Sequence, residues 1–181
     1  MTQESGTTRL TLPVSQRDHW RGPEIAPMTV VEYGDYECPD CGQAYPIIKE
    51  IQRRLGNRLR FVFRNFPLSQ IHPHAEHAAE AAEAAAEQGK FWEMHDFLFE
   101  HQRALDDTHL VHYAVGLNLD EETFKREMTE HVHTNRVHED FLSGVRSGVN
   151  GTPTFFINGV RHDESYELET FLAAIEAAMP S

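Results

Sequence analysis

Between residues 28 and 68 the chain changes its hydrophobic period twice, and this limits the folds open to it more than any other feature. The run MTVVEYG (28–34) is rich in β-branched residues and stops at Gly34, as a buried strand does. AYPIIKEIQRRLG then sets Ile47, Ile48, Ile51 and Leu55 at helical spacing, with Gly56 placed to cap the end. RLRFVFRNFPL (58–68) alternates around Phe61, Val62 and Phe63 and reads as a second strand. Strand, helix and strand in that order form a βαβ unit, so the two strands are expected to be parallel with a right-handed crossover.

The next segment breaks the α/β pattern. From His74 to about Ser147 the periodicity is almost wholly helical, starting with HAEHAAEAAEAAAEQG and its stop at Gly89. KFWEMHDFLFEHQRAL, DTHLVHYAVGLNL and DEETFKREMTEHVHTNRVHEDFLSGVRSG supply further helices, and the acids in DDTH and LDEE predict N-caps. Strand character returns at TPTFFINGV (152–160), where Asn158 and Gly159 predict a hairpin turn into VRHDESY. ELETFLAAIEAAM is a closing amphipathic helix. The expected fold class is therefore α/β, with a core of residues 28–70 and 148–181 and an all-helical insertion at 71–147. Residues 1–27 form an arm in which TRLTLPV is an edge strand or a docked segment. A chain of 181 residues is long enough for such a core plus an insertion.

Acidic residues outnumber basic ones 29 to 16 for a net charge of -13, and no Lys/Arg cluster interrupts them. Nucleic acid and anionic membrane surfaces are excluded as partners on that balance. No stretch approaches the ~18 apolar residues of a membrane span, so direct membrane insertion is not expected. The first 27 residues show no basic segment, apolar run and small-residue cleavage site in sequence, and the expectation is a cytoplasmic protein.

The chain has two cysteines, Cys38 and Cys41. As a staple the pair would close a minimal loop worth only about 2 kcal/mol, which a core of this size does not need. A structural zinc site needs four ligands, and His72 and His77 stand too far along the chain from the cysteines for a finger. A reversible redox pair fits the local geometry. With Cys38 as N-cap, Pro39 falls at N1, where its missing N–H costs nothing, and Cys41 falls one turn inside. Free N–H groups and the positive end of the helix dipole would lower Cys38 as the nucleophile, leaving Cys41 to resolve the mixed disulfide. Glu32 is an acid in a strand otherwise made of Val30, Val31 and Tyr33. Either it sits beneath the pair with a raised pKa and trades a proton with Cys41, or it is a solvated, edge-facing side chain.

These residues carry a resemblance. Over residues 28–178 the chain resembles the thioredoxin superfamily, and within it the DsbA-like thiol-disulfide oxidoreductases, in which helices are inserted into the thioredoxin core. CPDC resembles the active site, Glu32 falls where the superfamily has its buried acid, and Pro46 falls where its active-site helix kinks. NGTPTFFING resembles the loop bearing the family's cis-proline. The resemblance implies a thioredoxin fold, a central mixed sheet flanked by helices, with a cis Pro153. It implies that Gly151, Thr152 and Pro153 bind a substrate strand by β-augmentation. RDHWRGP and HPHAEHAAEAA also resemble bacterial DsbA-like domains found alone or behind sodium/proton antiporters. Where strongly oxidising members have Pro-His between the cysteines, this chain has Pro39 and Asp40. The carboxylate of Asp40, with Asp35 and Glu37 nearby, is expected to raise Cys38 and make the pair less oxidising.

The function so implied is disulfide exchange with protein or peptide thiols, together with a redox recycling partner and without any cofactor beyond the Cys38–Cys41 disulfide. A glutathione-dependent DsbA-like transferase or isomerase is one alternative, and a non-enzymatic, redox-sensing binding module is another. The histidines of HPHAEH (72–77) and HVHTNRVH (131–138), and the His74/His77 and His109/His112 pairs, read as solvated helix faces, so no metal is expected. Phe91, Trp92, Met94, Phe97 and Leu98 read as the packing face of the insertion, with a substrate groove beside Cys38 as the alternative.

Overall fold

The computed structural model describes residues 7–181. Its sheet is mixed, with strand order β1-β3-β2-β4-β5. At the centre β2 (Met28–Gly34) pairs in parallel with β3 (Leu59–Asn65) and antiparallel with β4 (Thr154–Ile157). The edges are β1 (His19–Arg21), antiparallel to β3, and β5 (Val160–His162), antiparallel to β4. Helix α1 (Pro39–Leu55) links β2 to β3 as the change of period required. Five helices fill the chain between β3 and β4: α2 (Ala75–Glu87), α3 (Phe91–Glu100), α4 (Asp107–Gly116), α5 (Glu121–Thr129) and α6 (Thr134–Arg146). The last helix is α7 (Leu168–Ala177).

Alternation along the central strands sorts the core into two faces. Met28 and Val30 of β2 join Phe61, Phe63, Phe155 and Ile157 against α1, α3 and α7. Val31 and Tyr33 point the other way, with Val62 and Phe156, against Phe66, Val149 and Phe141 of α6. Glu32 is in phase with Val30, so the strand delivers its carboxyl to the α1 side. The aromatic-rich α3 serves as a packing face: Phe91, Met94 and Leu98 are buried in the larger core, with Trp92 and Phe97 against it.

The arm docks and also contributes a strand, each at its own place. Leu10 donates its N–H to Gly159 and Arg161 donates to Thr8, which lays TRLTLPV along β5. The edge strand β1 lies instead in DHWRG, held on β3 by antiparallel pairing that no period in so short a run could announce. Nearby, the buried Arg64 donates to both carboxylate oxygens of Asp18 (2.8 and 3.0 Å) and to the Tyr33 hydroxyl (2.8 Å). A buried ion pair needs this number of partners to offset its desolvation. It fixes the arm to β2 and β3.

Asp106 and Asp120 cap α4 and α5, accepting from the His109 and Thr123 N–H groups. The run DEETFKREMTEHVHTNRVHEDFLSGVRSG is broken between α5 and α6, where His131 takes a left-handed φ of 51°. Val132 N–H donates to Glu127 and His131 N–H to Met128, the two bonds of a Schellman stop at a position that usually carries glycine.

Gly144 of α6 passes so close to the sheet that a Cβ there would stand 2.7 Å from the Phe66 ring and 3.0 Å from Tyr33. Gly116, at the end of α4, faces open space. Alanine in a helix gains up to ~1 kcal/mol over glycine, whereas overpacking costs ~1–3 kcal/mol. Gly116→Ala should therefore raise the denaturation midpoint in urea and Gly144→Ala should lower it. A Gly144→Ala protein as stable as the parent would show that α6 is not pressed on the sheet.

Candidate active site

The first residue of α1 is Pro39, and Cys38 stands outside it as N-cap with extended backbone (φ -67°, ψ 124°). Cys41 is one turn in. Both are free thiols. Cys41 is fully buried and Cys38 keeps 5 % of its surface, so the helix start is nearly covered. The Thr152 carbonyl contributes to that cover, accepting from Cys38 Sγ at 3.6 Å. The Thr152–Pro153 peptide bond is cis, and Gly151, Thr152 and Pro153 are half-buried, ahead of the first paired residue of β4. Pro46 lies within α1.

Burial and hydrogen bonding separate the two thiols. Cys38 is lowered to about 6, first by a hydrogen bond from the Cys41 thiol, which outweighs burial, and then by the Thr152 side chain and the N–H groups of Cys41 and Asp40. Cys41 is pushed up, first by burial and then by donating that bond and by the charge of Glu32. Glu32 is 3 % exposed, which removes the solvated alternative. Its carboxyl is raised to about 8, mainly by burial and then by the charge of Cys38.

Cys38 is lowered overall, and the side-chain charges of Asp40, Asp35 and Glu37 are not among the main influences on it. Asp40 acts on it through its backbone N–H, which lowers it. Asp35 is occupied elsewhere: it accepts from the N–H groups of Glu37 (2.8 Å) and Leu68 (2.9 Å) and from His72 Nδ1 (2.7 Å). Glu37 accepts from the His74 N–H at 3.0 Å. These bonds tie the loop ahead of Cys38 to the start of the helical block. His72 and His77 do not join the cysteines in one ligand set, since His72 is held on Asp35 and His77 on Asp107.

Three residues at the site escape a reading of the sequence. Gln102, just beyond α3, donates from Nε2 to the carbonyls of Tyr36 (3.0 Å) and Cys38 (2.8 Å). Gly42 makes room for it, because a Cβ there would fall 2.0 Å from Gln102 Oε1. A glycine directly after Cys41 is the one sequence signal of that close approach. Tyr166 lies close enough that the charges of Asp40 and Cys41 add to burial in raising its hydroxyl.

The same fold occurs in known proteins. A family model described as Thioredoxin matches residues 14–177. A protein of Salinispora arenicola named Na(+)/H(+) antiporter NhaA 1 is 49% identical over 174 residues, 96% of this chain but 26% of that protein. The chain thus spans about a quarter of the length of such curated relatives. Among solved structures, a thioredoxin-like oxidoreductase from Silicibacter pomeroyi shares 26% identity at a TM-score of 0.80, over 91% of this chain and 93% of that one. Wolbachia pipientis alpha-DsbA1, at 22% identity, shares the fold with a TM-score of 0.79 over 93% of each chain. With the family match running from Val14 to Ala177, this chain belongs to the thioredoxin family, in the DsbA-like form that sets a block of helices into the thioredoxin fold.

Proposed function

We propose that the chain is a thiol-disulfide oxidoreductase that exchanges disulfides with protein or peptide partners through Cys38 and Cys41. The observation that carries this reading is the asymmetry of the pair: a Cys38 lowered to about 6 next to a buried Cys41 pushed the other way. At neutral pH the first is largely thiolate and the second is not, which is the division of labour that exchange requires.

In the reducing direction, Cys38 Sγ⁻ attacks one sulfur of a partner disulfide and the other sulfur leaves as a thiolate. That step also removes the negative charge that helps to raise Glu32. The Glu32 carboxylate becomes easier to form just when Cys41 has to lose its proton. Glu32 first gives its own proton to the partner thiolate that has left; its carboxylate then takes the Cys41 proton, Cys41 Sγ⁻ attacks Cys38, and the partner's second sulfur leaves. Two electrons have passed to the partner and the Cys38–Cys41 disulfide has formed. Oxidation of a partner dithiol is the same path reversed. Gly151, Thr152 and Pro153 would hold the partner's strand beside Cys38, in support of which the Thr152 carbonyl already stands at the sulfur.

The antiporter names belong to proteins of which this chain matches about a quarter. No helix among the described residues is long and apolar enough to cross a membrane. We therefore assign the exchange chemistry, and not ion transport, to this chain.

A nucleophile near 6 falls between those of thioredoxin (about 7) and DsbA (about 3.5). The corresponding potential lies between about -270 and -120 mV. A pair less oxidising than DsbA is compatible with a compartment where thiols are kept reduced, and we propose the cytoplasm as its location. Equilibration with glutathione should give a value inside that interval; one as oxidising as about -120 mV would contradict this part of the proposal.

Trapping tests the exchange itself. Cys41→Ser should accumulate reducible mixed disulfides through Cys38, and Cys38→Ser should accumulate none. Glu32→Gln should prolong the mixed disulfide by about tenfold or more, in line with loss of a general base. Partner capture that survives Cys38→Ser would mark a binding module instead.

A further inference from the structure

The helical block brings together side chains that the sequence keeps apart. Glu80 of α2 is buried, and His77 stands one turn before it on the same helix. His131, from the stop between α5 and α6, places Nδ1 3.1 Å from Glu80 Oε1. The His77 and His131 rings lie 5.5 Å apart between centroids. One donor atom from each of His77, Glu80 and His131 falls within 4.8 Å of the others. The histidine pairs picked out by helical spacing, His74/His77 and His109/His112, miss this set because its third member comes from a different element.

We propose that His77, Glu80 and His131 form a binding site for a divalent transition-metal ion, with zinc as the ion of choice. Two imidazoles and a carboxylate are a recurrent three-residue set for zinc, which leaves a fourth position for water. A tetrahedral ion at ~2.1 Å from each donor keeps its donors ~3.4 Å apart, so the side chains need to close by little more than an ångström.

Four features of the surroundings fit this use. Asp107 accepts from His77 Nδ1 at 2.9 Å, which leaves Nε2 as the nitrogen with a lone pair; a carboxylate behind the imidazole is how metal-binding histidines are usually oriented. Glu80 is a carboxylate out of water whose Oε1 accepts from the Thr134 hydroxyl (2.7 Å) and His131, and a cation would compensate its charge. His131 occupies a left-handed position, φ 51°, that glycine or asparagine would fill at less cost. An imidazole there has a reason if it is a ligand. A cavity of about 490 Å³, lined by His77, Asp107, Lys125, Met128 and His131, gives the fourth position room. Bound metal would clip α2 to the α5–α6 turn, across 51 residues of chain.

The test uses untagged chain carrying Cys38→Ser and Cys41→Ser, so that thiolates do not compete. Titration calorimetry with Zn2+ should show one saturable equivalent per chain. Zn2+ at a hundredfold excess over its dissociation constant should raise Tm by about 5 °C or more, and Mg2+ should not. His131→Asn, His131→Gly and His77→Gln should each weaken Zn2+ binding at least tenfold and abolish the shift. The two His131 variants should be at least as stable as the parent without metal, because both residues suit a left-handed φ. A His109→Gln/His112→Gln variant should bind as the parent does. Absence of saturable binding, or binding that survives both His131→Asn and His77→Gln, would overturn the proposal.

Discussion

A carboxyl group buried in the central strand, beneath the start of a helix, is the constraint around which the remaining structure is arranged. Strand β2 is paired on both edges and covered on both faces, so alternation alone decides where Glu32 points, and it points to α1. A buried acid is costly, and it meets that cost here by staying protonated up to about pH 8. Its neighbour Cys38 does the opposite, because hydrogen bonds from Cys41 and from the first N–H groups of α1 favour its charge. Two acids of ordinarily well-separated pKa are thus brought close together and in reversed order, a suitable arrangement for passing one proton while two electrons move.

The helical block is part of that arrangement. Gln102 reaches from beyond α3 to the carbonyls of Tyr36 and Cys38, and Asp35 ties the loop after Gly34 to Leu68 and His72. The backbone at the nucleophile is therefore held from the insertion as well as from the sheet. Gly34 matters for the same reason, since a Cβ there would meet the Phe63 ring at 2.5 Å and Glu32 Oε1 at 3.0 Å. The turn that frees Cys38 also leaves room for the acid beneath it.

Much of this is legible in the chain because it rests on local rules. The change of period marks β2, α1 and β3, Asn158-Gly159 marks the β4–β5 turn, and Cys38-Pro39 marks a helix start. Long-range pairing is not legible. Strand β1 consists of His19, Trp20 and Arg21, which have no strand period and become a strand only because β3 offers an edge. How Asp40 acts at the site is not legible either, because charge can be counted along a chain, whereas the direction of a side chain and the donation of its N–H cannot. Gln102 and the meeting of His77 with His131 depend on how helices pack, which no spacing within one helix reveals.

Everything proposed for the pair rests on Cys38 being ionised well below an ordinary thiol while Cys41 is not. Titration of the reduced protein, followed by ultraviolet thiolate absorbance with a Cys41→Ala control that removes the donor, tests it most directly. Because the hydrogen bond from the Cys41 thiol is the first cause of the lowering, the midpoint should fall at about 6 in the parent and higher in the control. A parent midpoint at the ordinary cysteine value of about 8.5, or one unchanged in Cys41→Ala, would contradict it.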